Sequence, residues 1–327
     1  MSRPLVDRYG RQVVDLRISV TDRCNFRCRY CMPEDITWLP REEILTFEEI
    51  ERVAKVMVGC FGVQSVRLTG GEPTVRAELP ALVERLARLP VELSMTTNGV
   101  TLGRLAGPLK RAGLKRVTVS LDSLRRERFA RIAGRDMLVQ VLAGIEAALE
   151  AGLHPVKVNS VLMRGVNDDE VLDLASFGRR LGVEVRFIEF MPLDAAGEWS
   201  SATVVPAAEV VAKVGAVYPL EPLDCGGHEP AELFRYRDGA GRLGVIASVT
   251  KPFCASCDRV RLSADGQLRS CLFALRERDL RTMLRSGATD EDLAMAVEEE
   301  VALKWAGHSI GKVNFVRPAR SMSQIGG

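Results

Sequence analysis

The chain has 327 residues, 46% of them hydrophobic and 27% charged, with a formal net charge of +2. That composition suits a globular protein of one large or two smaller domains. The near-balance of charge excludes bulk attraction to nucleic acid or an anionic membrane, so an anionic ligand must be met by local arginines. No apolar run reaches the ~18 residues of a membrane span, and Met1–Gly10 lacks the apolar segment of a signal peptide. Six of the eight cysteines fall in two tight groups, leaving Cys60 and Cys225 over. Clustered cysteines without an export signal read as metal ligands in a reducing cytoplasm rather than as disulfides.

Val13–Val20 alternates apolar and polar residues and is read as the first strand, with Arg17 inside it. It leads into Thr21–Pro33, where Cys24, Cys28 and Cys31 stand in C-x-x-x-C-x-x-C spacing. Soft thiolates suit iron–sulfur clusters, zinc or Cu(I). A [4Fe–4S] cube held only by protein normally takes four cysteines, so three leave one iron free to chelate a small molecule. Arg23, Arg27 and Arg29 are expected to favour thiolates and offset the anionic charge of such a cluster. A zinc site is the alternative, but its usual second Cys pair or histidines are missing from this stretch.

Helical spacing predicts a helix over Phe47–Phe61, with Thr46 as N-cap and Glu49 as capping-box partner. A strand over Gln64–Thr69, containing Arg67, ends at the Gly70-Gly71-Glu72-Pro73 turn. Glycines there let backbone groups approach a ligand closely. A helix over Glu78–Leu89 is followed by a strand over Val91–Thr97, containing Thr96. Further on come a helix over Leu102–Ala112 and a strand over Lys115–Leu121 that ends at Ser120-Leu121-Asp122-Ser123. Helices over Arg125–Ile132 and Met137–Ala151 precede a strand over Val156–Met163, which contains Lys157. A helix over Asp169–Leu181 and a strand over Val183–Phe190, ending at Met191-Pro192, complete the series. Six strands alternating with helices predict right-handed β-α-β units and a parallel sheet. The polar motifs gather at strand C-termini, where parallel barrels carry their active sites. The expectation is a partial (β/α)6 TIM-like barrel over residues 1–190, with an open side that needs a cover.

Residues 191–327 change character. One helix is expected within Ala202–Lys213. The Pro- and Gly-thick stretch Tyr218–Pro230 reads as an excursion or boundary. Leu233–Tyr236 and Gly244–Val249 are read as strands, Arg259–Ser263 and Gln267–Ser270 as a hairpin, and Leu275–Leu284 and Asp290–Leu303 as helices. Cys254, Cys257 and Cys271 form C-x2-C-x13-C, a second triad that leaves an iron open; a zinc site with His228 or His308 as fourth ligand is the alternative. Arg259 and Arg261 alternate on one strand and can face the same side. Charges within strands of a parallel sheet are costly unless paired, which argues that Arg17, Arg67 and Lys157 line an interior. No P-loop G-x-x-x-x-G-K-[ST] is present.

The cysteine loop, with Tyr30 just before its last cysteine, and the Gly-Gly-Glu-Pro turn one strand later resemble the radical S-adenosylmethionine (SAM) superfamily. Adding Asp15–Cys24, Val66–Pro73, Thr96–Gly99, Phe187–Pro192, Cys254–Arg261 and the terminal Gly326-Gly327, the whole chain is similar to the GTP 3′,8-cyclase family. That resemblance implies two [4Fe–4S] clusters plus SAM. Tyr30, Gly71, Ser120 and Met191 would contact SAM, and Arg17, Arg67, Thr96, Lys157, Arg259 and Arg261 would surround GTP. It implies abstraction of the C3′ hydrogen of GTP by a 5′-deoxyadenosyl radical and closure onto C8, the first step of molybdenum cofactor biosynthesis. Arg17 would assist the late reduction or protonation, and the Gly326-Gly327 tail would support turnover, docking near Arg17, Arg259 and Arg261. A flavodoxin or ferredoxin donor, cyclic pyranopterin monophosphate synthase as next enzyme, and a monomer or weak homodimer follow by the same analogy. A radical SAM peptide-modifying maturase and a zinc-stabilised nucleotide-binding protein are the competing readings.

Overall fold

The computed structural model describes residues 3–33, 35–193, 197–224, 229–313 and 315–326. The first part alternates β1 (Asp15–Ser19), α1 (Phe47–Phe61), β2 (Ser65–Thr69), α2 (Leu79–Leu86), β3 (Glu92–Thr97), α3 (Leu102–Arg111) and β4 (Arg116–Ser120). It continues with α4 (Arg126–Ala133), α5 (Leu138–Glu150), β5 (Val156–Leu162), α6 (Val171–Leu181) and β6 (Glu184–Glu189). The remainder carries α7 (Ala207–Val217), β7 (Leu220–Leu223), β8 (Glu232–Tyr236), β9 (Arg242–Ile246), β10 (Arg259–Leu262), β11 (Gln267–Arg269) and β12 (Arg278–Asp279). It ends with α8 (Leu280–Arg285), α9 (Asp290–Ala302) and α10 (Met322–Ile325).

Strands β1 to β6 lie side by side in chain order and all run parallel. The later strands continue the same sheet at both edges. β10 adds in parallel to β1 and is followed by β11 and β12 in antiparallel pairing. β9 adds in parallel to β6 and is followed by β8 and β7, again antiparallel. Adding these edge strands needs contacts far apart in sequence, which local periodicity does not register.

One face of the sheet is apolar and carries the helices. Leu16, Ile18, Val66, Leu68, Met95, Val119 and Val158 are buried there with Ile50, Val53 and Met57 of α1 and Val141 and Ile145 of α5. Each such side chain contributes on the order of 1.5–3 kcal/mol of gross burial energy. The alternate residues are polar: Asp15, Arg17 and Ser19 on β1, Ser65, Arg67 and Thr69 on β2, Ser94 and Thr96 on β3, and Lys157 and Asn159 on β5. A parallel sheet covered by helices on both faces is apolar throughout. This sheet is therefore layered on one face and reserves the other.

Local signals behaved as read at α1, where the Thr46–Glu49 capping box forms and Gly62 closes the helix at φ 68°. Three expectations change. Tyr218–Pro230 is not merely an excursion, because β7 lies within it; Pro222 is tolerated on an edge strand, where a missing N–H is not needed by a neighbour. The helix expected over Leu275–Leu284 is shortened to α8, because Arg278–Asp279 pairs with β11 first. The helix expected over Ala202–Lys213 starts later, at Ala207 behind Pro206, and runs to Val217. Cys60 is half-buried against the core, whereas Cys225 and His228 lie outside the described residues.

Candidate active site

The first cysteine triad hangs on a loop between β1 and α1, and its neighbours fix that loop. Gly71 N donates to Thr21 O at 2.7 Å and Glu72 N to Arg23 O at 2.8 Å. A Cβ on Gly71 would sit 2.5 Å from Arg23 O, so the glycine is needed to let the turn lie on the loop. Glu72 is buried and accepts from Thr74 N at 3.0 Å, Thr97 Oγ1 at 2.7 Å and Asn98 N at 2.6 Å. From the other side, Arg27 N and Arg29 N donate to Ala133 O and Ile132 O at the end of α4. Phe26 meets Phe129 edge-on with ring centroids 5.8 Å apart.

The three thiols lie near one another, each half-buried. Burial pushes Cys24 to about 11 and Cys31 to about 12, and Cys28 well above the ordinary thiol value; the sulfurs also raise one another. Of the three arginines expected to favour thiolates, Arg27 acts in that direction on Cys24. Arg29 is turned outward to Glu198, and Arg27 spends its guanidinium on Cys24 O, Phe26 O and the Trp38 ring. Arg27 does lower Cys24, but burial outweighs it. Three soft sulfur donors near one another are a donor set that fits a [4Fe–4S] cluster, with one iron left without a protein ligand.

Tyr30 reaches from this loop to the end of β4, donating from its hydroxyl to Asp122 Oδ2 at 2.7 Å. Asp122 also accepts from Val161 N at 2.8 Å, and burial pushes its carboxyl up to about 6. Asp122 was visible in the Ser120-Leu121-Asp122-Ser123 run but its role was not. Ser120 ends β4 and Met191 follows β6, both half-buried at the same strand ends.

The polar face below carries the arginines. Register places Arg261, Arg17 and Arg67 in one row across β10, β1 and β2, with Arg259 opposite Asp15. The Nε atoms of Arg17, Arg67, Arg259 and Arg261 are buried without a hydrogen-bond partner among the described residues. Burial, and then repulsion from Arg67, Arg259 and Arg261, hold Arg17 well below the ordinary guanidinium value. Burial and Arg259 bring Arg261 down to about 10. A second row runs from Thr96 through Thr118 to Lys157 and Glu184. Lys157 lies beside Arg186, a buried arginine of β6 that sequence reading missed because β6 was read only for its ending. An anionic ligand would relieve both rows.

The second triad adjoins the arginine row. Arg259 donates to Cys257 Sγ at 3.6 Å and lies over the Phe253 ring. Burial raises Cys257, but Arg259 and Lys304 outweigh it and bring the thiol down to about 7. Two further buried cations grip the backbone here. Arg11 donates to Cys254 O at 2.6 Å and Ala306 O at 3.0 Å, with Asp7 at 2.5 Å behind it. Lys304 donates to Cys257 O at 2.9 Å and Arg259 O at 2.8 Å. His308 sets its Nε2 2.9 Å from Ser248 O, and its backbone hydrogen-bonds to Cys254.

The tail returns to the first triad. Arg320 pairs with Asp265 and Glu277, and α10 buries Ser323 and Ile325. Gly326, at φ 77°, packs against Ser19 and Thr69, one step along the same face from Arg17 and Arg67. Gly327 lies outside the described residues.

A profile of the radical SAM superfamily matches residues 18–178 and one of Molybdenum Cofactor Synthesis C matches residues 183–310. GTP 3′,8-cyclase of Acidothermus cellulolyticus is 51% identical over 318 residues, covering 94% of this chain and 88% of the relative. GTP 3′,8-cyclase of Streptomyces coelicolor is 49% identical over 328 residues, covering 99% and 96%. Among solved structures, native anSMEcpe with bound AdoMet superposes with a TM-score of 0.61 at 15% identity, covering 90% of this chain and 84% of that one. Streptococcus suis SuiB bound to precursor peptide SuiA gives 0.61 at 14%, covering 89% and 65%. Those two likenesses establish the α/β fold alone. On the relatives that match it nearly end to end, the chain belongs to the GTP 3′,8-cyclase family of the radical SAM superfamily.

Proposed function

We propose that the protein converts GTP to (8S)-3′,8-cyclo-7,8-dihydroguanosine 5′-triphosphate, the first step of molybdenum cofactor biosynthesis. The observation that carries this reading is the row of buried arginine Nε atoms without a hydrogen-bond partner among the described residues, beside the second cysteine triad. Such a row suits a polyanion, and water-excluded guanidinium contacts to phosphate are strong and directional. Cys24, Cys28 and Cys31 would hold the first [4Fe–4S] cluster, and Cys254, Cys257 and Cys271 the second. When bound, the first cluster and SAM supply the 5′-deoxyadenosyl radical that removes the C3′ hydrogen of the ribose. Tyr30, Gly71, Ser120 and Met191 line the strand ends for SAM. Arg17, Arg67, Thr96, Lys157, Arg259 and Arg261 orient GTP, with the guanine toward the second triad. Arg17, held below its ordinary value by burial and then by its arginine neighbours, would assist the late reduction or protonation.

This reading takes residues 1–190 as a partial (β/α)6 barrel and residues 191–327 as its cover. Curvature is supported by Arg67, whose guanidinium feels Arg186 although β2 and β6 are four strands apart. A flat sheet would separate those strands by roughly 19 Å. The cover supplies strands to both edges and brings Gly326 over the strand ends, where the Gly326-Gly327 tail would exclude water from the radical. No helix is long and apolar enough to cross a membrane. Oxygen-sensitive clusters suit a reducing cytoplasm, an electron donor of the flavodoxin or ferredoxin kind, and hand-over to cyclic pyranopterin monophosphate synthase by a monomer or weak homodimer. The test is anaerobic incubation of reduced protein with SAM, with and without GTP. 5′-Deoxyadenosine should form in a GTP-dependent manner; formation that requires a peptide and ignores GTP would contradict the reading.

A further inference from the structure

Lys157 and Arg186 already share an anion. Glu229, on the connection between β7 and β8, accepts from Lys157 Nζ at 3.0 Å and from the Arg186 guanidinium through the same oxygen, Oε1. Glu184 also faces both cations, with Arg186 Nε at 2.5 Å and Lys157 Nζ at 3.7 Å. The two carboxylates are not equivalent. Glu184 lies on β6 with its side chain 6% exposed, fixed by the sheet. Glu229 lies on a connection, its side chain is 29% exposed, and it borders a cavity of about 230 Å³ lined by Pro222, Leu223, Ala231 and Phe234. It has room to leave.

We propose that Glu229 is an affinity-determining residue: its carboxylate competes with ligand phosphate for Lys157 and Arg186, so a triphosphate must displace it to bind, whereas an uncharged nucleoside meets no such competition. The inference rests on the reading of this face as a nucleotide site. Two cations that close together repel, and Lys157 is held below its ordinary value by burial and by Arg186. Glu184 and Glu229 together balance that pair; a triphosphate, carrying several charges, takes the place of Glu229, the carboxylate with room to leave, and Glu184 stays. A nucleoside lacks the group that reaches Lys157 and Arg186, so it neither displaces Glu229 nor gains from its removal. Glu229 thus sets the strength of phosphate binding by a competing interaction inside the site.

The test uses the full chain with both clusters, purified anaerobically, and calorimetric titration with GTP and with guanosine. Glu229→Gln should tighten GTP about tenfold, equivalent to about 1.4 kcal/mol, and leave guanosine unchanged. Glu229→Ala should do the same and serves as the second variant. GTP affinity that is unchanged or weaker in Glu229→Gln overturns the inference, as does equal tightening of guanosine. If the unsubstituted protein binds GTP and Lys157→Ala weakens it while Glu229→Gln has no effect, only the role of Glu229 falls. If the unsubstituted protein takes up no GTP, the nucleotide reading itself falls and this inference with it.

Discussion

Replacing Lys304 by methionine tests how the second triad is held. Lys304 is 1% exposed and spends its ammonium on two carbonyls, those of Cys257 and Arg259. Methionine matches the side chain to within its terminal atom and removes both bonds. Each buried carbonyl left without a donor costs about 1–3 kcal/mol, so the gross loss is about 2–6 kcal/mol. Burial also pushes the Lys304 ammonium below its ordinary value, and the substitution returns that desolvation cost. The net is a loss of about 3 kcal/mol centred on residues 254–261. Lys304→Met should lower the urea midpoint and drop iron from about eight to about four per chain, the first cluster being retained. Iron and labile sulfide counts with a urea melt read both effects. A full iron count with an unshifted midpoint would refute the view that this buried cation organises the triad.

Gly71→Ala forces a Cβ onto the Arg23 carbonyl and should cost the protein its first cluster while the second remains, read as the complementary loss of about four irons. Glu189 accepts from Ala207 N at 2.9 Å and from Val249 N and Thr250 N at 2.8 Å each, joining β6 to both later segments. Glu189→Gln turns an amide NH2 toward those donors and should destabilise by about 2–4 kcal/mol in a urea melt; an unchanged midpoint contradicts it. The Asp265–Arg320 pair anchors the tail. Burial raises Asp265, but Arg320 and Ser263 outweigh it and hold the carboxyl below its ordinary 3.8. Its contribution is therefore complete above about pH 4 and lost as pH falls through the lower folded value. Hydrogen-exchange protection of residues 321–326 should be lost at low pH, and at pH 7 in Asp265→Asn; protection that survives in that variant contradicts the anchor.

The alternation of Leu16, Ile18, Val66 and Leu68 with Arg17, Arg67 and Thr69 made both the strands and the two-faced sheet legible before any coordinates. Motif spacing did the same for the two cysteine triads and the glycine turn. What could not be read was anything that depends on which strand neighbours which. β10 beside β1 sets Arg261 next to Arg17, and no local pattern encodes that pairing. Lys304 and Arg11 gave no signal in the sequence, because their acceptors are backbone carbonyls of Cys257, Arg259, Cys254 and Ala306, distant in sequence and silent in composition. Arg29 behaves in a related way: it lies beside the cysteines along the chain, but folding pairs it with Glu198, 169 residues away, which no local pattern encodes.

The account turns on GTP giving up one particular hydrogen. Anaerobic turnover with SAM and GTP deuterated at C3′ should place deuterium in the 5′-deoxyadenosine, with a cyclised nucleotide formed alongside. 5′-Deoxyadenosine that carries only solvent or protium hydrogen, with GTP recovered fully labelled, would contradict it.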